Sequence, residues 1–156
     1  MDLKSRECPE GYWPIFKGES FDLWQPDKGK GSYYAWGNPK VLKPRIQAKR
    51  VNAKKKSTSV FNECDSEWCE NLDTLPCLYP RLAFRDSAQA TDKRTMRCAL
   101  VPPKVFIANQ APYFVFPRGS KKDVTYLLGI LSSIPLDWYS RRFVDRHLNF
   151  FIINFF

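Results

Sequence analysis

One histidine, His147, serves the whole 156-residue chain. Serine- and cysteine-nucleophile hydrolases need an imidazole beside the nucleophile, and a lone histidine next to Arg146 on an amphipathic stretch suits a structural or surface role better. Glycine is also sparse, at seven residues. They are scattered, so neither a GxGxxG dinucleotide loop nor a GxxxxGK[ST] phosphate loop occurs. HExxH and GxSxG are missing as well, and the acid on the first strong strand, Asp86, is followed by Ser-Ala-Gln-Ala rather than by a nuclease-type carboxylate and lysine. Five cysteines (Cys8, Cys64, Cys69, Cys77, Cys98) are an odd number in a chain too large to need disulfide staples. Cys64, Cys69 and Cys77 form no CxxC pair and His147 is distant, which favours reduced, half-buried thiols over a zinc site. No run reaches the roughly 18 apolar residues of a membrane helix. The opening MDLKSRECPEGYW has no apolar core of a signal peptide. A cytoplasmic protein without a catalytic centre, metal or membrane contact is expected.

Acids are missing from one more place. Between Lys28 and Lys56 lie ten of the 25 basic residues and no Asp or Glu. NECDSEWCENLD then carries five acids and no base. The net charge of +9 and a pI near 9.4 fit a polyanionic partner. The polarity along the chain predicts a basic binding side and an acidic solvent side, with Lys54, Lys55 and Lys56 as phosphate contacts or as an ordinary solvated charge run. Residues 28–73 read as a charged, partly flexible insertion within one domain spanning 1–156.

Aromatics are plentiful, at 15 %. Residues 12–16, 20–24 and 32–36 read as short strands around the turn PDKGKGS, with Trp13, Phe16, Phe21 and Trp24 as an aromatic core and Tyr33, Tyr34 and Trp36 also packing inward. Further strands are predicted at 81–85, 97–101, 105–108 and 113–116. In the first of these, Leu82 and Phe84 share one face and Arg81, Ala83 and Arg85 the other. A helix follows, with Asp123 as N-cap and a stripe of Val124, Leu127, Leu128 and Leu131. Pro135 ends it and opens a second helix carrying Trp138, Phe143 and Leu148. The predicted fold is α+β: a largely antiparallel sheet with a C-terminal helical pair. The closing LNFFIINFF is either a last strand or a sign that the C-terminus is truncated.

RLAFRDSAQATDKRTMRCALVPP places arginines on two strands and a polar loop between them. Arginine forks bind phosphate or guanine, and Thr or Gln side chains reach phosphates and base edges. Arg85, Gln89, Thr91, Lys93, Arg94, Thr95 and Arg97 are therefore candidate DNA contacts, and Arg118, Lys121 and Lys122 in PRGSKKD form a second candidate loop. A structural alternative has Arg85 pairing with Asp86 or Asp92 to hold the hairpin.

The run LPCLYPRLAFRDSAQATDKRTMRCALVPPKVFIANQAPYFVFPRG, then YLLGILSSIPLDWYSRRFV, resembles the target-recognition domain of bacterial adenine-specific DNA methyltransferases and Type IIG restriction-modification enzymes, the TaqI-like C-terminal specificity domain. The likeness covers residues 8 to 151, and YWPIFKGESFDLW is similar to the first strand and turn of such domains. Arg85, Thr91, Arg94 and Thr95 fall at the family's recurring positions. The resemblance implies recognition of double-stranded DNA beside a methyltransferase or endonuclease catalytic domain or subunit. The family's Asn/Asp-Pro-Pro-Tyr/Phe motif is missing, since no Asn or Asp precedes the prolines of LVPPKVF, so S-adenosylmethionine is expected only in that catalytic part and not in this chain. Two rivals stand beside this reading: a subunit of an adenine DNA methyltransferase active only with a separate catalytic chain, and a basic protein-interaction module.

Overall fold

The computed structural model describes residues 7–59, 61–148 and 153. Most of the terminal LNFFIINFF therefore lies outside the described residues, and so does the reading of it as a last strand. Among the described residues the architecture is mixed α and β, with four helices and two small sheets.

The first sheet has the order β2-β1-β5, built from β1 (Trp13–Phe16), β2 (Ala35–Gly37) and β5 (Phe106–Ile107). β1 pairs antiparallel with β2 and parallel with β5. The second sheet is the antiparallel pair β3 (Arg81–Phe84) and β4 (Cys98–Val101). The strand predicted at 105–108 thus belongs to a different sheet from those predicted at 81–85 and 97–101, where one continuous sheet was expected. Residues 113–116 run along β3 with a single bridge, Ala83 to Tyr113. Phe84 N–H donates to the Pro112 carbonyl and Phe114 N–H to the Leu82 carbonyl, each at 2.9 Å. Pro112 and Pro117 lack the N–H groups that would extend a ladder. Residues 20–24 are likewise no strand: Asp22 and Gln25 exchange backbone hydrogen bonds across a tight turn, with Trp24 at φ +61°.

Period two explains why β3 holds the molecule together. Leu82, Phe84 and Cys98 face one cluster with Met96, Leu131, Val144 and Leu148. Ala83, Ala99 and Val101 face a second cluster with Phe16 and Phe21. Both faces of β3 are covered, so all four residues are buried. Trp36 is buried and Tyr33 stacks on Phe16 with centroids 4.9 Å apart, as expected of a core, and Trp13 stacks on Phe106 at 5.4 Å. Trp24 departs from that expectation at 67 % exposure, because the left-handed backbone of its turn points it away from the sheet. Tyr34 is also exposed.

α1 (Pro39–Lys54) opens on Asn38, whose side chain accepts from Lys40 N–H, with Pro39 at the first position where its missing N–H costs nothing. α2 is Ser66–Glu70 and is capped by Asp65. The predicted C-terminal helical pair is present as α3 (Lys121–Leu131) and α4 (Ile134–Ser140). Pro135 lies in the first turn of α4 as anticipated. The N-cap of α3 is Ser120 rather than Asp123: the two form a capping box, each side chain bonding the other's backbone N–H. α4 stops at Ser140, so Phe143 and Leu148 follow it instead of riding on it.

Candidate nucleic-acid interface

Loop 85–97 joins β3 to β4, and its arginine side chains turn inward. The loop's anchor is Asp137, a carboxylate of α4 that is 4 % exposed. Its Oδ1 accepts from Thr95 N–H at 2.7 Å and Met96 N–H at 2.8 Å. Its Oδ2 accepts from Arg141 Nε at 3.2 Å and Nη2 at 3.1 Å. Arg141 continues the network, donating to the carbonyls of Ala90 at 3.1 Å and Lys93 at 2.8 Å. Arg94 lies 3.5 Å from Asp137 and donates to the Ser132 carbonyl at 2.6 Å, which places a guanidinium on the negative end of α3. Arg97 pairs with Asp92 at 2.7 Å. Thr95 is fully buried, its hydroxyl donating to the Gln89 carbonyl at 3.2 Å.

Arg94, Thr95 and Arg97, expected as DNA contacts, therefore hold the loop's own shape. For Arg94 and Thr95 the physical reason is the buried carboxylate of Asp137 far downstream, and for Arg97 it is Asp92 within the loop. Gln89, Thr91 and Lys93 are the three candidates of this loop left exposed. The Asp137–Arg141 pair itself is absent from the sequence-based candidates. Its signal was the i, i+4 acid–base spacing in LDWYSR.

Arg85 is half-buried and takes up the structural alternative with a different partner. Its Nη1 lies 3.5 Å from Asp22, where Asp86 or Asp92 was expected. Asp86 instead meets His147 Nδ1 at 3.1 Å. Burial first, and the neighbouring Arg97 charge second, push the Arg85 guanidinium below the usual arginine range.

The accessible positive charge lies elsewhere. α1 contains no acid, and it buries one side through Leu42, Ile46 and Arg50. Arg50 sits over the Trp68 ring at 4.5 Å and donates to the Cys69 carbonyl at 2.9 Å and the Asn71 carbonyl at 2.8 Å, fastening α1 to α2. Burial lowers its affinity for its proton. Lys54 is partly buried, its Nζ donating to the carbonyls of Asn62 and Cys64. Lys40, Arg45, Lys49, Lys55 and Lys56 remain exposed. None of the five forms an ion pair among the described residues.

Arg118, Lys121 and Lys122 are exposed too. Gly119 lets the chain turn there, since a Cβ would stand 2.7 Å from the Phe116 Cβ. Lys121 and Lys122 occupy the first turn of α3, where the helix dipole disfavours cations, and Asp123 is the acid that offsets them. Hydrogen bonds from Ser120 hold the Asp123 carboxyl below its usual range. Among the described residues no three His, Cys, Asp or Glu side chains sit close enough to hold a metal ion. The five cysteines are free thiols. No helix is long and apolar enough to cross a membrane among the described residues.

The chain matches no known protein family, no curated protein and no solved structure.

Proposed function

We propose that this chain is a duplex-DNA docking module, recognising a target beside a separate methyltransferase or endonuclease chain that carries the catalysis and holds S-adenosylmethionine. The observation that carries the DNA reading is the acid-free exposed half of α1, whose cations have no carboxylate partners among the described residues. A helix of 16 residues is about 24 Å long, the span of roughly seven base pairs along a duplex. Phosphate contacts from α1, with Arg118, Lys121 and Lys122, set position. Gln89, Thr91 and Lys93 at the tip of the loop clamped by Asp137 are the side chains offered to base edges. The resemblance of residues 8 to 151 to target-recognition domains supports the catalytic partner.

The test is fluorescence anisotropy of a random duplex at low and moderate salt. Binding should fall steeply with salt. Replacing Arg45, Lys49 and Lys55 together by Ala should reduce the log–log salt slope by about 2.7, three contacts at roughly 0.9 each. Replacing Arg94 and Arg97 should leave that slope unchanged. Salt-insensitive binding, or a slope untouched by the α1 triple variant, overturns the reading and leaves the basic surface to an acidic protein.

A further inference from the structure

A cleft opens between the 68–80 segment and the 114–121 segment, with a cavity volume of about 420 Å³. This falls within the roughly 300–1,000 Å³ of small-molecule sites. Its walls include Trp68, Tyr79, Phe114 and Phe116. Two cations line it, Arg81 and Lys121. Arg118 and Trp68 line an adjoining hollow.

Arg81 is the anomaly. It is 5 % exposed, yet no carboxylate pairs with it among the described residues. Its Nη2 donates to the Val105 carbonyl, its guanidinium lies 4.9 Å from the Tyr113 ring centroid, and its Nε finds no acceptor. Burying a guanidinium without a counter-charge is costly, and the Val105 carbonyl and Tyr113 ring leave the charge of Arg81 uncompensated. An anion entering the cleft would supply the missing charge. The aromatic walls add a second requirement. Trp68 is fixed by the Arg50 guanidinium 4.5 Å from its ring, and the Phe114 and Phe116 centroids lie 6.3 Å apart. Such surfaces favour a flat ring. Lys121 at the cleft is exposed and free to meet an incoming phosphate.

We infer that this cleft binds a single nucleotide, with the base against the aromatic walls and the phosphate answered by Arg81 and Lys121. The same chemistry is offered by a free nucleoside monophosphate and by an unpaired nucleotide at a strand end. The site does not depend on α1 docking to duplex DNA.

The experiment is a titration of the full chain with deoxyadenosine 5′-monophosphate, followed by heteronuclear NMR at the Trp68 indole and the amides of Tyr79, Arg81, Leu82, Phe116 and 118–121. Saturable shifts at both are expected. Deoxyadenosine and inorganic phosphate should each bind at least about tenfold more weakly, since each meets half of the site. Lys121→Ala, at an exposed position that leaves the core intact, should weaken binding several-fold, and Arg81→Lys more. The α1 triple variant should bind the nucleotide as the parent does, which separates this site from duplex docking. A 5′-phosphorylated duplex with one unpaired terminal nucleotide, competing at lower concentration than the free monophosphate, would assign the strand end as the source; the reverse order would assign the free nucleotide. No shift at Trp68 up to about 10 mM, beyond the millimolar end of specific affinity, overturns the inference. So does equal binding of inorganic phosphate alone, or wild-type affinity in both Lys121→Ala and Arg81→Lys.

Discussion

Replacing Asp137 by Ala removes the α4 carboxylate that anchors loop 85–97. Two backbone donors lose their acceptor, Thr95 N–H and Met96 N–H, and both residues are fully buried. An unsatisfied buried donor costs about 1–3 kcal/mol, so the two together cost about 2–6 kcal/mol. Arg141 and Arg94 also lose their counter-charge, but each retains carbonyl acceptors and is partly solvated, so their added share is small. A loss of about 4 kcal/mol is the working figure, a large part of the roughly 5–15 kcal/mol that stabilises a typical domain. Asp137→Asn keeps an oxygen for the two amides while removing the charge, and should cost about half as much. The assay is urea unfolding by circular dichroism, with the midpoint shift converted through a common m value. Thermal scans should show Tm falling by about 8–16 °C for the Ala variant. A loss under about 1 kcal/mol for Asp137→Ala would refute the assignment of Asp137 as the anchor of the loop.

Other outcomes follow from single residues. The Tyr33 hydroxyl donates to Asp27 at 2.8 Å, and burial together with that carboxylate raises its pKa well above the ordinary value near 10. Because the folded pKa is the higher one, the stabilisation is complete below about pH 10 and is lost as pH climbs toward the folded value. Ultraviolet difference titration should find one tyrosine ionising after the others, and Tyr33→Phe should abolish that late step; ionisation of all seven together would contradict the geometry. Burial likewise raises the Cys69, Cys77 and Cys98 thiols, whereas Cys8 is exposed. Iodoacetamide should therefore label Cys8 first and Cys77 and Cys98 only on unfolding, as peptide mass mapping would report.

Local patterning carried the parts of the fold that rest on near neighbours. The stripe of Val124, Leu127, Leu128 and Leu131 located α3, and Pro135 marked the start of α4. The alternation in β3 was read correctly as two faces, yet a strand says nothing about what will cover each face. Both became core, and Arg81 went inside with them. Ser120 and Asp123 are each good N-caps three residues apart, so the box they form was read from the wrong end. The partners of the basic loop were illegible for a different reason. An arginine that reads phosphate and one that caps a helix or meets a carboxylate are the same letter, and Asp137 is far from Arg94 in sequence. The charge imbalance of α1, by contrast, needs no tertiary information, and its exposed cations lie where the composition placed them.

The Asp137 clamp also sets an order of events during synthesis. Met96 and Asp137 are separated by 41 residues. At roughly 5–20 residues per second, about 2–8 s pass after the loop is made before its anchor exists. Throughout that interval Arg97 can already meet Asp92 and Arg85 can meet Asp22, but Arg94 and the amides of Thr95 and Met96 have no carboxylate to hold them. On a ribosome surrounded by RNA phosphate, the arrival of α4 is what withdraws the Arg94 guanidinium from the solvent and commits it to the fold.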